Sequence, residues 1–188
     1  IRGMAGSDTL IGGAGNDTFQ FATPSELSAD ATVVGGSGAD TIAFTSSGQA
    51  VGLTDLANVS GVEALVMSGG GNSVTLGANA AAAGIISVTG GSGSDSIDVS
   101  DATYTLNASL NGGDGNDMLV GGVGFDALSG GVGDDDLDGN EDDDLLEGGE
   151  GADNLDGGSG NDDLDGGVGD DILNGGDGDD YLVGADGV

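Results

Sequence analysis

From Gly112 to Val183 the chain reads GGDGNDMLV, GGVGFDALS, GGVGDDDLD, GNEDDDLLE, GGEGADNLD, GGSGNDDLD, GGVGDDILN and GGDGDDYLV, eight nonapeptides in tandem without an insertion. A further unit begins at Gly184, and separate copies start at Gly3, Gly12, Gly35 and Gly90. A fixed period of this kind is the mark of a stacked repeat architecture. Each nonapeptide divides in two. The GGxGxD portion is turn chemistry, because glycine reaches positive φ without steric cost. The last three residues set one apolar side chain between two mostly polar ones, a strand of about three residues with its middle side chain inward. The inward set is Leu119, Leu128, Leu137, Leu146, Leu155, Leu164, Leu173 and Leu182.

These units predict an all-β fold: a right-handed parallel β-roll, or β-helix solenoid, with two nonapeptides per coil. Equivalent residues of successive coils then stack at roughly 4.8 Å, which piles like carboxylates on one another. Asp117, Asp135, Asp153 and Asp171 fall on one edge; Asp126, Asp144, Asp162 and Asp180 fall on the other. Bare carboxylates a few Å apart cost on the order of several kcal/mol at intermediate dielectric. A hard divalent cation between the layers reverses the sign. Carboxylate and carbonyl oxygens from a flexible glycine-rich turn suit Ca²⁺, whereas Mg²⁺ demands a stricter octahedron and keeps its waters. Softer metals lack the His and Cys that they prefer.

Composition agrees. The 188 residues hold 43 Gly, one Pro and 34 acidic residues against a single basic one, Arg2, for a net charge of −33. Self-repulsion on that scale opposes collapse unless counter-ions neutralise it. An acidic disordered tail would be poor in apolar residues, yet 36% of this chain is hydrophobic. Aromatics are only 3%, which implies a narrow core of small aliphatic layers. The absence of Cys excludes disulfides and thiolate metal sites. The absence of His removes the usual general base, a Ser–His triad and a His-rich zinc site. No apolar run approaches the ~20 residues of a spanning helix, so no membrane insertion is expected. The opening IRGMAGSDTL has no signal-peptide pattern. One basic residue argues against nucleic acid or an anionic membrane as a partner.

The nonapeptides resemble the RTX calcium-binding repeats of secreted bacterial toxins, proteases, adhesins and surface-layer proteins. That resemblance implies a calcium ion between stacked turns. The first would be held by the carbonyls of Gly113 and Gly115 with the carboxylate of Asp117, then by Gly130, Val132 and Asp135 one coil on. Sliding the pattern along both edges assigns as metal ligands the eight aspartates from Asp117 to Asp180 named above. It adds the turn residues Gly122, Gly124, Gly131, Gly133, Gly139, Gly148, Gly149, Gly151, Gly157, Gly158, Gly160, Gly166, Gly167, Gly169, Gly175, Gly176 and Gly178. About seven ions or more follow. Asp8, Asp17, Asp40, Asp95, Asp142 and Asp186 are secondary candidates. One unit departs from the pattern: Asn140 and Asp142 stand where glycine is usual, so Asp142 is expected to be strained or to add a ligand. Asp136, Asp138, Asp156, Asp163 and Asp165 flank the inward leucines and should face water.

The organisation expected is a short repeat pair at 1–20, a loop at 21–34 with room for a helical turn after Pro24, an irregular metal-poor β-helix at 35–111, and the regular calcium β-roll at 112–188. Strand-like runs at AVGLT, VEALVM, SVTL, IISV and ATYTLNASL punctuate the third block, and ANAAAAG at 78–84 suits a short helix or an inserted loop. The stretch NVSGVEALVMSG resembles linking segments in surface-layer and adhesin-like RTX proteins.

The function expected is an extracellular structural module, not an enzyme, that folds on binding Ca²⁺ near 10⁻⁴–10⁻³ M and self-associates end to end into a filament, matrix or surface layer. The alternative is a non-catalytic secretion and folding domain of a larger toxin, adhesin or hydrolase. The resemblance further implies type I secretion, although its C-terminal signal is not recognisable here.

Overall fold

The computed structural model describes residues 1–2, 6–29 and 32–184; the candidate Asp186 lies outside them. The described strands all pair in parallel and form sheets of nine, seven and three strands. Each sheet is a wall of a solenoid, because strands that neighbour in space are one coil apart in sequence.

In the regular half that coil is two nonapeptides. Leu119 pairs with Leu137, Leu137 with Leu155 and Leu155 with Leu173 on the seven-stranded wall. Leu110, Leu128, Leu146, Leu164 and Leu182 form the matching ladder on the nine-stranded wall. The two ladders meet inside, and Leu119, Leu146, Leu155 and Leu164 are wholly buried. A residue between two polar neighbours on a strand has no other way to leave water. Asp136, Asp163 and Asp165 are exposed as expected, while Asp138 and Asp156 are only half-buried.

The walls are unequal. Strands of three residues, such as Asp136–Asp138, make the seven-stranded wall there. On the nine-stranded wall the strands run to six, as in Ala127–Val132 and Leu145–Glu150, because pairing continues through the first glycines of the next unit. Three-residue strands throughout, as the sequence suggests, are therefore found on one wall only.

Toward the N-terminus the coils lengthen, with hydrogen-bonded partners 22 or 23 residues apart instead of 18. The surplus builds the three-stranded wall of Thr9–Ala14, Thr32–Ser37 and Val59–Ser60 and the helix Ala78–Ala83. Residues 21–34, read as a loop, hold the helix Pro24–Ala29 and the start of the strand Thr32–Ser37. Wider coils need larger fillers. Phe19, Phe21, Phe44 and Tyr104 are buried here, Phe21 and Phe44 with ring centroids 6.4 Å apart. The Tyr104 hydroxyl donates to the Ile85 carbonyl at 2.8 Å, so its polar end is satisfied. One cluster of buried side chains runs from Phe19 to Leu164.

Candidate metal centre: two columns of stacked carboxylates

The sixth residue of each nonapeptide ends a turn immediately before a strand, so strand register fixes its height. Asp117, Asp135, Asp153 and Asp171 stack before the seven-stranded wall, and Asp126, Asp144, Asp162 and Asp180 before the nine-stranded wall. Each carboxylate reaches back one coil. Oδ1 of Asp135 accepts the N–H of Asp117 at 2.7 Å, and Oδ1 of Asp153 accepts that of Asp135 at 2.9 Å. On the other edge Asp144 serves Asp126 at 2.7 Å and Asp162 serves Asp144 at 2.8 Å. These bonds occupy Oδ1 and leave the second oxygen to be accounted for.

That second oxygen is the informative atom. Oδ2 of Asp117, Asp135, Asp144, Asp153, Asp162 and Asp171 is buried without a hydrogen-bond partner. A buried carboxylate oxygen with no donor is costly, and a native row of them demands an occupant. Burial pushes the carboxyl of Asp135 up to about 6 and that of Asp144 up to about 8, with neighbouring aspartates pushing further and the backbone N–H donors pulling back. Asp117, Asp126, Asp153 and Asp162 are raised for the same leading cause.

The first glycine of each unit makes the cradle. A Cβ on Gly130 would strike the Asp135 carboxylate and lie 2.7 Å from the Gly148 carbonyl, so both oxygens converge where Gly130 has only hydrogen. The second glycine, Gly131, adopts φ 114° and passes against the Gly113 carbonyl. Among the described residues no group of three or more acidic side chains is placed to hold an ion alone. An ion would draw on turn carbonyls as well as carboxylates, a donor set of hard oxygens that fits Ca²⁺. Orphaned oxygens and the glycine cradle thus suit the group, and Asp117, Asp135, Asp153 and Asp171 on one edge and Asp144 and Asp162 on the other would be its carboxylate holders; Asp180 repeats the cradle at Gly175 without a buried orphan oxygen.

The secondary candidates divide. Asp95 joins the first column: its Oδ2 is an orphan, and its N–H donates to Asp117 Oδ1 at 2.7 Å. Asp17 and Asp40 lie before the nine-stranded wall, the edge of Asp126 to Asp180. Asp17 donates its N–H to Asp40 Oδ1 at 2.8 Å, and both Oδ2 atoms are orphans. Glu63, which nonapeptide spacing does not single out, continues that short column by accepting the Asp40 N–H at 2.8 Å. Ile86 and Ala108 then occupy the position and separate the two acidic stretches of this edge. Asp8 precedes the three-stranded wall and stands in neither column. Asp142 is exposed; among the described residues, it and Asn140 are the non-glycine residues with positive φ, 73° and 78°. Asp126 differs from its column mates. Its Oδ1 accepts the Ala108 N–H at 2.6 Å and its Oδ2 the Gly122 N–H at 2.7 Å, so both oxygens are partnered.

A parallel solenoid with cation-seeking carboxylates between its coils is a metal-binding β-roll. The family model for the RTX calcium-binding nonapeptide repeat (4 copies) matches residues 1–20, 28–43, 111–146, 129–164, 138–173 and 156–188. Those stretches take in more than half of the chain, which belongs to this family; its repeats bind calcium. No curated protein and no solved structure matches. Among the described residues no helix is long and apolar enough to cross a membrane.

Proposed function

We propose that this chain is an extracellular structural module that folds when calcium fills its carboxylate columns and then associates through the open edges of its coils. The row of buried, partnerless Oδ2 atoms carries the reading. Without an ion those charges oppose folding; with it, binding free energy becomes folding free energy. Sites of extracellular type work near 10⁻⁴–10⁻³ M Ca²⁺, so the module would stay unfolded at cytosolic calcium and stiffen outside.

Self-association end to end is a reading that a parallel solenoid allows, since each coil pairs with the next through its strand edges and a second copy can pair in the same way. The test is far-UV circular dichroism and sizing of the chelated chain as calcium is added. Strand signal and larger species should rise together between about 10⁻⁴ and 10⁻³ M. A chain that folds in chelator contradicts the switch, and one that folds with calcium but stays monomeric contradicts the association.

A further inference from the structure

Asn72 stands where an aspartate belongs. It precedes the strand Ser73–Thr75 as Asp95 precedes Ser96–Asp98, and Ser73 pairs with Ser96. It is buried, at 4% exposure. Its side-chain oxygen accepts the Gln49 N–H at 2.9 Å, which orients the amide and turns Nδ2 toward the next coil. There Nδ2 donates to the carbonyls of Ser68 at 2.8 Å and Gly90 at 3.1 Å and to Oδ1 of Asp95 at 2.9 Å.

With Asn72 in the sixth position, Ser68 is second in its own turn, while Gly90 and Asp95 are first and sixth in the next. Those are the places held by Gly113, Gly130 and Asp135 around the first ion of the regular column. An amide nitrogen is a donor only, so it satisfies oxygens that a cation would otherwise gather and cannot itself ligate a hard cation. We propose that the Asn72 amide takes the place of calcium between its coil and that of Asp95, so that the calcium column of this edge begins at Asp95. The inference rests on the calcium reading of the columns. The opposite edge carries an independent parallel: at Asp126 the Gly122 N–H fills the carboxylate oxygen that is orphaned in Asp144 and Asp162.

The experiment counts bound calcium per chain, after equilibrium dialysis at saturating Ca²⁺, in the wild type and in Asn72→Asp. It also measures hydrogen exchange of the assigned Asn72 side-chain amide in the calcium-saturated wild type by NMR. One additional ion in the variant and strongly slowed exchange of the amide protons are expected. An unchanged count in a variant that folds overturns the proposal. So does exchange of the Asn72 amide at the rate of a free side chain, a result that decides the matter even where the variant fails to fold. A wild type that binds no calcium removes the reading of the columns themselves, a distinct failure.

Discussion

The backbone N–H of Asp135 donates to Oδ1 of Asp153, eighteen residues on, at 2.9 Å. Asp135 and its column mates Asp117, Asp153 and Asp171 therefore spend one oxygen holding the previous coil and leave Oδ2 without a protein partner, the atom that would hold a cation on the proposed reading. Backbone stacking and metal binding are coupled through a single side chain, and substitutions there should affect both.

Asp144→Asn tests the coupling. It keeps Oδ1 for the Asp126 N–H but removes a buried carboxyl whose ionisation the fold disfavours, pushed up to about 8. In chelator the variant should resist urea better than the wild type. In calcium its folding midpoint should move to several-fold higher Ca²⁺, since a ligand charge is lost. Paired urea and calcium titrations followed by circular dichroism check both signs.

Acidity should partly replace calcium. The carboxyls of Asp135 and Asp144 titrate in the fold at about 6 and about 8, above the ordinary 3.8. The folded state therefore binds protons more readily than the unfolded chain. The penalty of uncompensated charge is full above pH 8 and disappears below about 4. A chelated chain should gain strand signal as pH falls from 8 toward 4. With calcium present, the midpoint should rise over the same range, because the ion must displace protons.

Gly130→Ala should be severe. Its Cβ would enter the space shared by the Asp135 carboxylate and the Gly148 carbonyl, and neither backbone can retreat without breaking the stack. A loss of at least ~2 kcal/mol in calcium-saturated stability is expected, with fewer ions bound. Asp142→Gly should act in the opposite direction. It relieves a non-glycine residue at φ 73° and should add about 1 kcal/mol. Denaturant melts at fixed high calcium measure each.

Leu155→Ala removes a wholly buried rung between Leu137 and Leu173. A core with few layers has little freedom to collapse onto the cavity, so ~2–5 kcal/mol is expected. Calcium count at saturation should be unchanged if the variant folds, which separates packing from ligation; atomic absorption after dialysis reads it.

Where nine residues repeat without insertion, the structure was legible in advance. The Leu119–Leu137 register and the stacking of Asp135 on Asp153 follow from spacing alone, since a period of two units returns each side chain to the same face. Glu63 and Asn72 were not legible. Their coils span 22 or 23 residues and include the helix Ala78–Ala83, so no fixed period carries them into line with an aspartate. The six-residue strands were also hidden, because glycine pairs read as turns until a neighbouring coil offers its backbone to them.

The most direct test is a high-resolution crystal structure grown in saturating calcium, with anomalous scattering used to identify ions. An ion is expected within bonding reach, roughly 2.3–2.6 Å, of Oδ2 in Asp117, Asp135, Asp144 and Asp153. The same coils, intact, with only water or no density beside those oxygens would contradict the account.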